Sequence, residues 1–173
     1  MGDTFMKEKT YTAEEIIEAL GLVPLPKEGG LVLETYRSTA LTREGEAAGT
    51  AIFYMLRGSS FSHLHRLKGD EMYHFYLGDP VELTELLPDG SVKKTVLGSD
   101  LPGGEQLQHL VPGGNWQGSC LADGGKWALL GTTMCPGYRE EEYEHGDAEE
   151  LLRLYPSAEK EIRQLTGQIR REF

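Results

Sequence analysis

Between Leu31 and about Gly137 the chain divides into eight short segments, each about five to ten residues long: LVLETYRS, TAIFYML, FSHLHRL, EMYHFYLGD, VELTELL, SVKKTVLG, QLQHLVP and KWALLGTTM. Turn signals stand between them: RGSS, KGD, GDP, PDG, LPGG, PGG and DGG. Segments this short cannot bury themselves as helices. Their spacing predicts an antiparallel sandwich or barrel. PDG, between VELTELL and SVKKTVLG, has the chemistry of a hairpin turn.

Helices flank this block. Thr12 and Glu15 form a capping-box pattern, and Gly21 suits the position just past a helix end, so a helix is expected over 12–20. Pro24, Pro26 and Gly29-Gly30 then break the chain. At the other end Asp147 is placed to cap AEELLRLY and Ser157 to cap AEKEIRQLT, giving two short helices within about 148–166. The acidic run from Glu140 to Glu150 reads as a solvated connection.

The 173 residues suit one domain able to bury its own core. A hydrophobic fraction of 39%, with no apolar run near a membrane-spanning length, predicts neither membrane insertion nor disorder. The first residues, MGDTFMKEKTYTAEE, lack the apolar middle of a secretory leader, and Met6 breaks a myristoylation pattern. Cys120 and Cys135 are then expected as reduced thiols in a cytoplasm. A net charge of −11 argues against nucleic acid as a partner. No G-x-G-x-x-G, P-loop, C-x-x-C or G-x-S-x-G motif is present.

The stretch HLHRLKGDEMYHFYLGD, from His63 to Asp79, carries the chemistry. Residues two apart on a strand share a face, so His63 and His65 are expected together, their Cβ atoms about 6–7 Å apart. One metal ion with bonds of about 2.1 Å could bridge them. A turn at Lys68-Gly69-Asp70 would return Glu71 beside the pair, completing two imidazoles and a carboxylate. In LVLETYRS, Leu33, Thr35 and Arg37 fall on one face and Val32, Glu34 and Tyr36 on the other; alternation leaves open which is inward. Arg37 could balance a carboxylate, fix an anionic substrate or sit in a surface ion pair. Tyr54, Tyr73, Tyr76 and Trp116 read as core or interface aromatics. His74 is expected outside the barrel, His109 at the surface and His145 in solvent.

His63, His65, Glu71 and Gly78 match H-x-H, five residues, E, six residues, G, which resembles the first motif of the cupin superfamily. Pro112 to Gln117 resembles its second motif, with Gln117 where a histidine is usual. From the TAEEII helix through EGG, ETYRS, HLH, LGDP, VLGSD, VPGGNWQ and PGY to the final LT helix, the chain is similar to the cupin-5 family, a domain of unknown function. The resemblance implies a mostly β fold, the cupin double-stranded β-helix or jelly-roll barrel, over about 31–137, with one N-terminal and two short C-terminal helices, in one domain spanning 1–173. It implies a homodimer, favours Glu34 and Tyr36 near the pocket, and places a ligand or metal inside the barrel. The expected metal set is His63, His65, Glu71 and Gln117, open to Mn, Fe, Ni or Zn. Glu34, Tyr36, Arg37, Trp116 and Gln117 are the expected ligand contacts, and His63, His65 and Glu71 the expected catalytic groups.

Three readings follow. The first is an enzyme acting on a small polar metabolite, by isomerisation or epimerisation or, in a metal-rich version, as an Fe(II) oxygenase. The second is a non-catalytic binding module. The third is a structural dimer with a vestigial pocket, which Gln117 keeps alive. None of them calls for a membrane.

Overall fold

The computed structural model describes residues 11–168. Residues 1–10, on which the leader and myristoylation readings largely rest, lie outside them. The first helix, α1 (Ala13–Leu20), begins and ends where its caps require. Thr12 Oγ1 accepts the Glu15 amide N–H at 3.2 Å, and the Glu15 carboxylate accepts the Thr12 amide N–H at 2.8 Å. Gly21 closes the helix with φ +69°, the left-handed conformation glycine adopts at low cost.

Eleven strands follow: β1 (Val23–Pro24), β2 (Leu31–Arg37), β3 (Thr50–Arg57), β4 (Phe61–Arg66), β5 (Glu71–Gly78), β6 (Val81–Leu86), β7 (Val92–Leu97), β8 (Gln108–Val111), β9 (Trp116–Leu121), β10 (Trp127–Met134) and β11 (Glu144–His145). They form two antiparallel sheets, in the orders β1-β2-β3-β10-β5-β8 and β11-β4-β9-β6-β7. The PDG turn joins β6 to β7 as expected, with Leu87 N–H bonded to the Ser91 carbonyl at 2.9 Å and Gly90 at φ +87°. Helices α2 (Ala148–Leu154) and α3 (Glu159–Leu165) end the described chain. Asp147 caps α2 through the Glu150 amide N–H at 2.9 Å. Ser157 does not cap α3; Pro156–Ala158 form a 3₁₀ turn instead, and Ala158 takes the cap position with no side-chain bond.

Strand alternation sorts the apolar residues into three cores. Leu56, Tyr73, Phe75, Leu83, Leu121 and Leu130 meet between the sheets. Leu64, Leu86, Trp116 and Cys120 face the other way and pack under Leu151, Ile162 and Leu165 of α2 and α3. Ile16 of α1 covers Leu31, Met55 and Leu129 on the outside of the first sheet. Each fully buried leucine or isoleucine contributes about 1.5–3 kcal/mol. The fold is the jelly roll the motifs imply, with helices packed on part of each outer face and the space between the sheets left for side-chain chemistry.

β9 has both faces covered and every residue buried. Trp116, Gly118 and Cys120 lie against the helices, while Gln117, Ser119 and Leu121 turn into the barrel. WQGSCL therefore shows neither an apolar/polar alternation nor a continuous apolar run, and reading by pattern passes over it.

Candidate active site inside the barrel

A cavity of about 230 Å³ opens between the sheets. Its polar wall comprises Glu28, Glu34, Glu71, His65, Tyr54, Tyr73, Tyr138, Thr50 and Thr132, and Leu25, Val32, Ile52, Leu67 and Met134 supply the apolar remainder. Of the expected site residues, His65, Glu71 and Glu34 reach this wall, and Tyr54 and Tyr73, expected as core or interface aromatics, line it as well.

His63 does not, and the reason is a bulge. Ser62 pairs with Ser119 and His65 with Gln117, so three steps on β4 match two on β9. The extra residue breaks the alternation. Leu64 goes under the helices and His65 into the barrel, and His63 leaves the face that the spacing assigned it. The His63 ring stacks on His145 of β11 with centroids 3.7 Å apart. Its amide N–H bonds the Glu28 carbonyl at 2.7 Å, tying β4 to the Gly29-Gly30 turn.

A second bulge acts in the same way on β2. Glu34 pairs with Ile52 and Tyr36 with Ala51, so Thr35 is the extra residue. Glu34 stays at the cavity, whereas Tyr36 turns outward and is 57% exposed. Arg37 comes round to Glu34 and binds it bidentately, Nε to Oε1 at 2.9 Å and Nη2 to Oε2 at 2.7 Å, and also donates to the Tyr138 carbonyl at 3.1 Å. Trp116 is likewise not a cavity contact: it lies under α2 and α3, with the Arg66 guanidinium 4.7 Å from its ring centroid.

The chemistry concentrates on His65 and Glu71. His65 Nδ1 lies 2.7 Å from the His63 carbonyl oxygen. A carbonyl only accepts, so Nδ1 carries a proton, and in the neutral ring the lone pair is on Nε2. Tyr143 stacks on the imidazole at a centroid distance of 5.3 Å. Glu71, 6% exposed, accepts Gln117 Nε2–H at 2.7 Å. Burial raises the Glu71 pKa above its ordinary value; the nearby His65 opposes this shift, and the Glu28 carboxylate adds to it. Burial also lifts Tyr54 and Tyr73 well above the usual phenol range, with the carboxylates of Glu28 and Glu71 among the further causes, so both remain neutral. A buried carboxyl of raised pKa beside an imidazole is a set of groups suited to proton exchange.

The metal set the resemblance implies does not fit this arrangement. His63 is turned away, and Gln117 directs its amide nitrogen, a donor, at Glu71. Among the described residues no three His, Cys, Asp or Glu side chains are grouped to hold a metal ion. The two-histidine expectation assumed an unbroken strand, and the bulge removes one ligand from it.

Other groups fall where the sequence gave no signal. Glu28 and Tyr138 sit in connections, and only the closed fold brings them to the cavity. The segment from Tyr138 to His145, which overlaps the Glu140–Glu150 run read as a solvated connection, lies across the site: Tyr138 lines the cavity, Tyr143 covers His65, and Tyr143 Oη is 3.0 Å from His145 Nδ1. His109 is buried rather than at the surface, its Nε2 2.7 Å from Glu85. His74 is outside the barrel, bonded to Thr133 and Gln108. No described helix is long and apolar enough to cross a membrane.

The comparisons agree with the fold. A Shewanella oneidensis protein of known crystal structure is 31% identical, covers 91% of this chain and 98% of its own, and superposes with a TM-score of 0.85. A hypothetical protein from Leishmania major is 33% identical over 94% of this chain and 100% of its own, with a TM-score of 0.81. Oxalate decarboxylase from Bacillus subtilis shares the fold more distantly, at 16% identity and a TM-score of 0.53, over 84% of this chain and 37% of its own. No curated protein matches. The Cupin_5 family model, described as Cupin superfamily (DUF985), matches residues 14–146, and the chain belongs to that family.

Proposed function

We propose that the barrel binds a small polar metabolite in its interior and acts on it by proton transfer, as an isomerase or epimerase does. The observation that carries this reading is the placing of buried Glu71 with His65 on the wall of the cavity between the sheets. Burying such groups without a purpose costs several kcal/mol. In this reading His65 Nε2 takes a proton from a carbon next to a carbonyl and returns it as imidazolium, with the Glu71 carboxylate stabilising that charge. Neutral Tyr54 and Tyr73 supply hydroxyls that orient the ligand. Gln117 holds Glu71 in place.

The test is a thermal-shift screen of a metabolite library, followed by a mass-spectrometric time course on each stabilising compound in deuterated water. A stabilising compound that gains deuterium or converts to an isomer supports the reading. Stabilisation without either leaves a binding module, and no stabilisation by any compound removes an interior ligand altogether.

We also propose that two copies associate through the outer face around β5 and β8. Tyr76, Leu77, Leu107 and Leu110 are each at least 40% exposed there, an unusual grouping for a monomer's surface. Light scattering should give twice the chain mass, falling to one chain mass in Leu110→Asp. A wild-type mass of one chain would remove the proposal.

A further inference from the structure

The barrel holds two buried glutamates that it treats in opposite ways. Glu85, 1% exposed, is surrounded by compensating groups: His109 Nε2 at 2.7 Å, Lys93 Nζ at 3.3 Å and Asn115 Nδ2 at 3.0 Å. Glu71 is buried almost as deeply, yet its hydrogen-bond donors are neutral, the Gln117 amide and the Thr132 hydroxyl. The basic group acting on it is the imidazole of His65. The difference between them is the cavity. Glu71 faces it and Glu85 does not.

The rest of the wall follows the same pattern. It carries three carboxylates, Glu28, Glu34 and Glu71, and three phenols, and neither Lys nor Arg. Arg37 neutralises Glu34 without itself lining the cavity. Glu28 is bonded by the Ser62 hydroxyl at 2.9 Å, again a neutral donor. Gln117 commits its nitrogen to Glu71, and its Oε1 is buried with no hydrogen-bond partner among the described residues. Gln117 is not among the residues lining the cavity, so this acceptor bears on the site only through Glu71.

We propose that the ligand of this cavity is a small organic cation, a primary amine or amino sugar, whose ammonium group sits between Glu71 and Glu28 among the tyrosine rings. The proposal rests on the interior-ligand reading above and adds the charge of the ligand to it. Three ammonium N–H groups match an environment rich in acceptors, and tyrosine faces attract a desolvated cation. A carboxylate ligand would instead meet Glu28 and Glu71, with no Lys or Arg on the lining to pair with it. The distant likeness to oxalate decarboxylase therefore extends to the fold and not to an acidic substrate.

The experiment is calorimetric titration of the full chain, in amine-free phosphate buffer, with two matched sets: ethanolamine, ethylene glycol and glycolate; then glucosamine, glucose and glucuronate. The amine of at least one set should bind about tenfold or more tightly than its neutral partner, and the acid should show no binding. Glu71→Gln and Glu28→Gln should each weaken the amine by about tenfold and change the neutral partner less than about twofold. Wild-type selectivity decides the matter even where a variant misfolds. A neutral compound or an acid binding as tightly as its amine would overturn the assignment of charge while leaving an interior ligand standing. Failure of both amines to bind also overturns that assignment, and the library screen then judges the interior-ligand reading separately.

Discussion

His65→Ala is expected to lower turnover of the cavity's ligand by about 100-fold or more, the usual loss for a positioned acid–base group, while His63→Ala keeps activity within a few-fold of wild type. The two histidines look equivalent in the H-x-H motif, and only the bulge separates them. His65 lines the cavity with its Nδ1 proton fixed on the His63 carbonyl. That carbonyl belongs to the backbone, so removing the His63 side chain leaves the anchor in place. The loss at His63 is its stack on His145, its Nδ1 contact with the Leu64 carbonyl at 2.9 Å and its ring contact with Phe61, none of which reaches the cavity. Both variants should fold, because neither residue belongs to the three apolar cores. The check is a side-by-side time course on any compound that wild type converts. Equal losses in the two variants would mean that both imidazoles reach the ligand and that the bulge is misread.

The largest effect on stability is expected at Glu85 of β6, which pairs with Gln117 of β9. Glu85→Ala removes the acceptor shared by His109, Lys93 and Asn115. Breaking a buried pair from one side typically costs about 3–5 kcal/mol, because the remaining polar groups stay buried without a partner. For a chain of this size that is a fall in melting temperature of roughly 10 °C. Glu85→Gln should lose less, since its amide oxygen still accepts one of these bonds. Lys93 is half exposed and regains water in either variant, so most of the cost comes from His109 and Asn115. Urea unfolding measures this directly. A Glu85→Ala midpoint equal to wild type would show that the cluster contributes nothing net.

How much of this was legible in the sequence depends on whether the signal was local. The capping box of α1, the Gly21 stop, the PDG turn and the Asp147 cap are short-range chemistry, and each is where the residues imply. Family motifs carried the fold. Parity was the weak point. One extra residue in β4 and one in β2 inverted the faces of His63 and Tyr36, and nothing in the composition of either strand announces a bulge. β9 was hidden because both its faces are covered, one of them by polar groups. Glu28 and Tyr138 were invisible for a different reason. They sit in connections, where no periodicity applies, and reach the cavity only through tertiary contacts such as the His63 amide bond to the Glu28 carbonyl. The Gly29-Gly30 pair, both at positive φ, was the one available hint that the chain turns tightly beside Glu28.

The account's central claim is that a ligand occupies the space between the sheets and is held by His65 and Glu71. The most direct measurement is a crystal structure grown with the compound that most raises the melting temperature. The account predicts that compound inside the barrel, with polar atoms in hydrogen-bond contact with His65 Nε2 and the Glu71 carboxylate. The same compound bound on the outer face, or against the His63–His145 stack with the cavity holding only water, would contradict it.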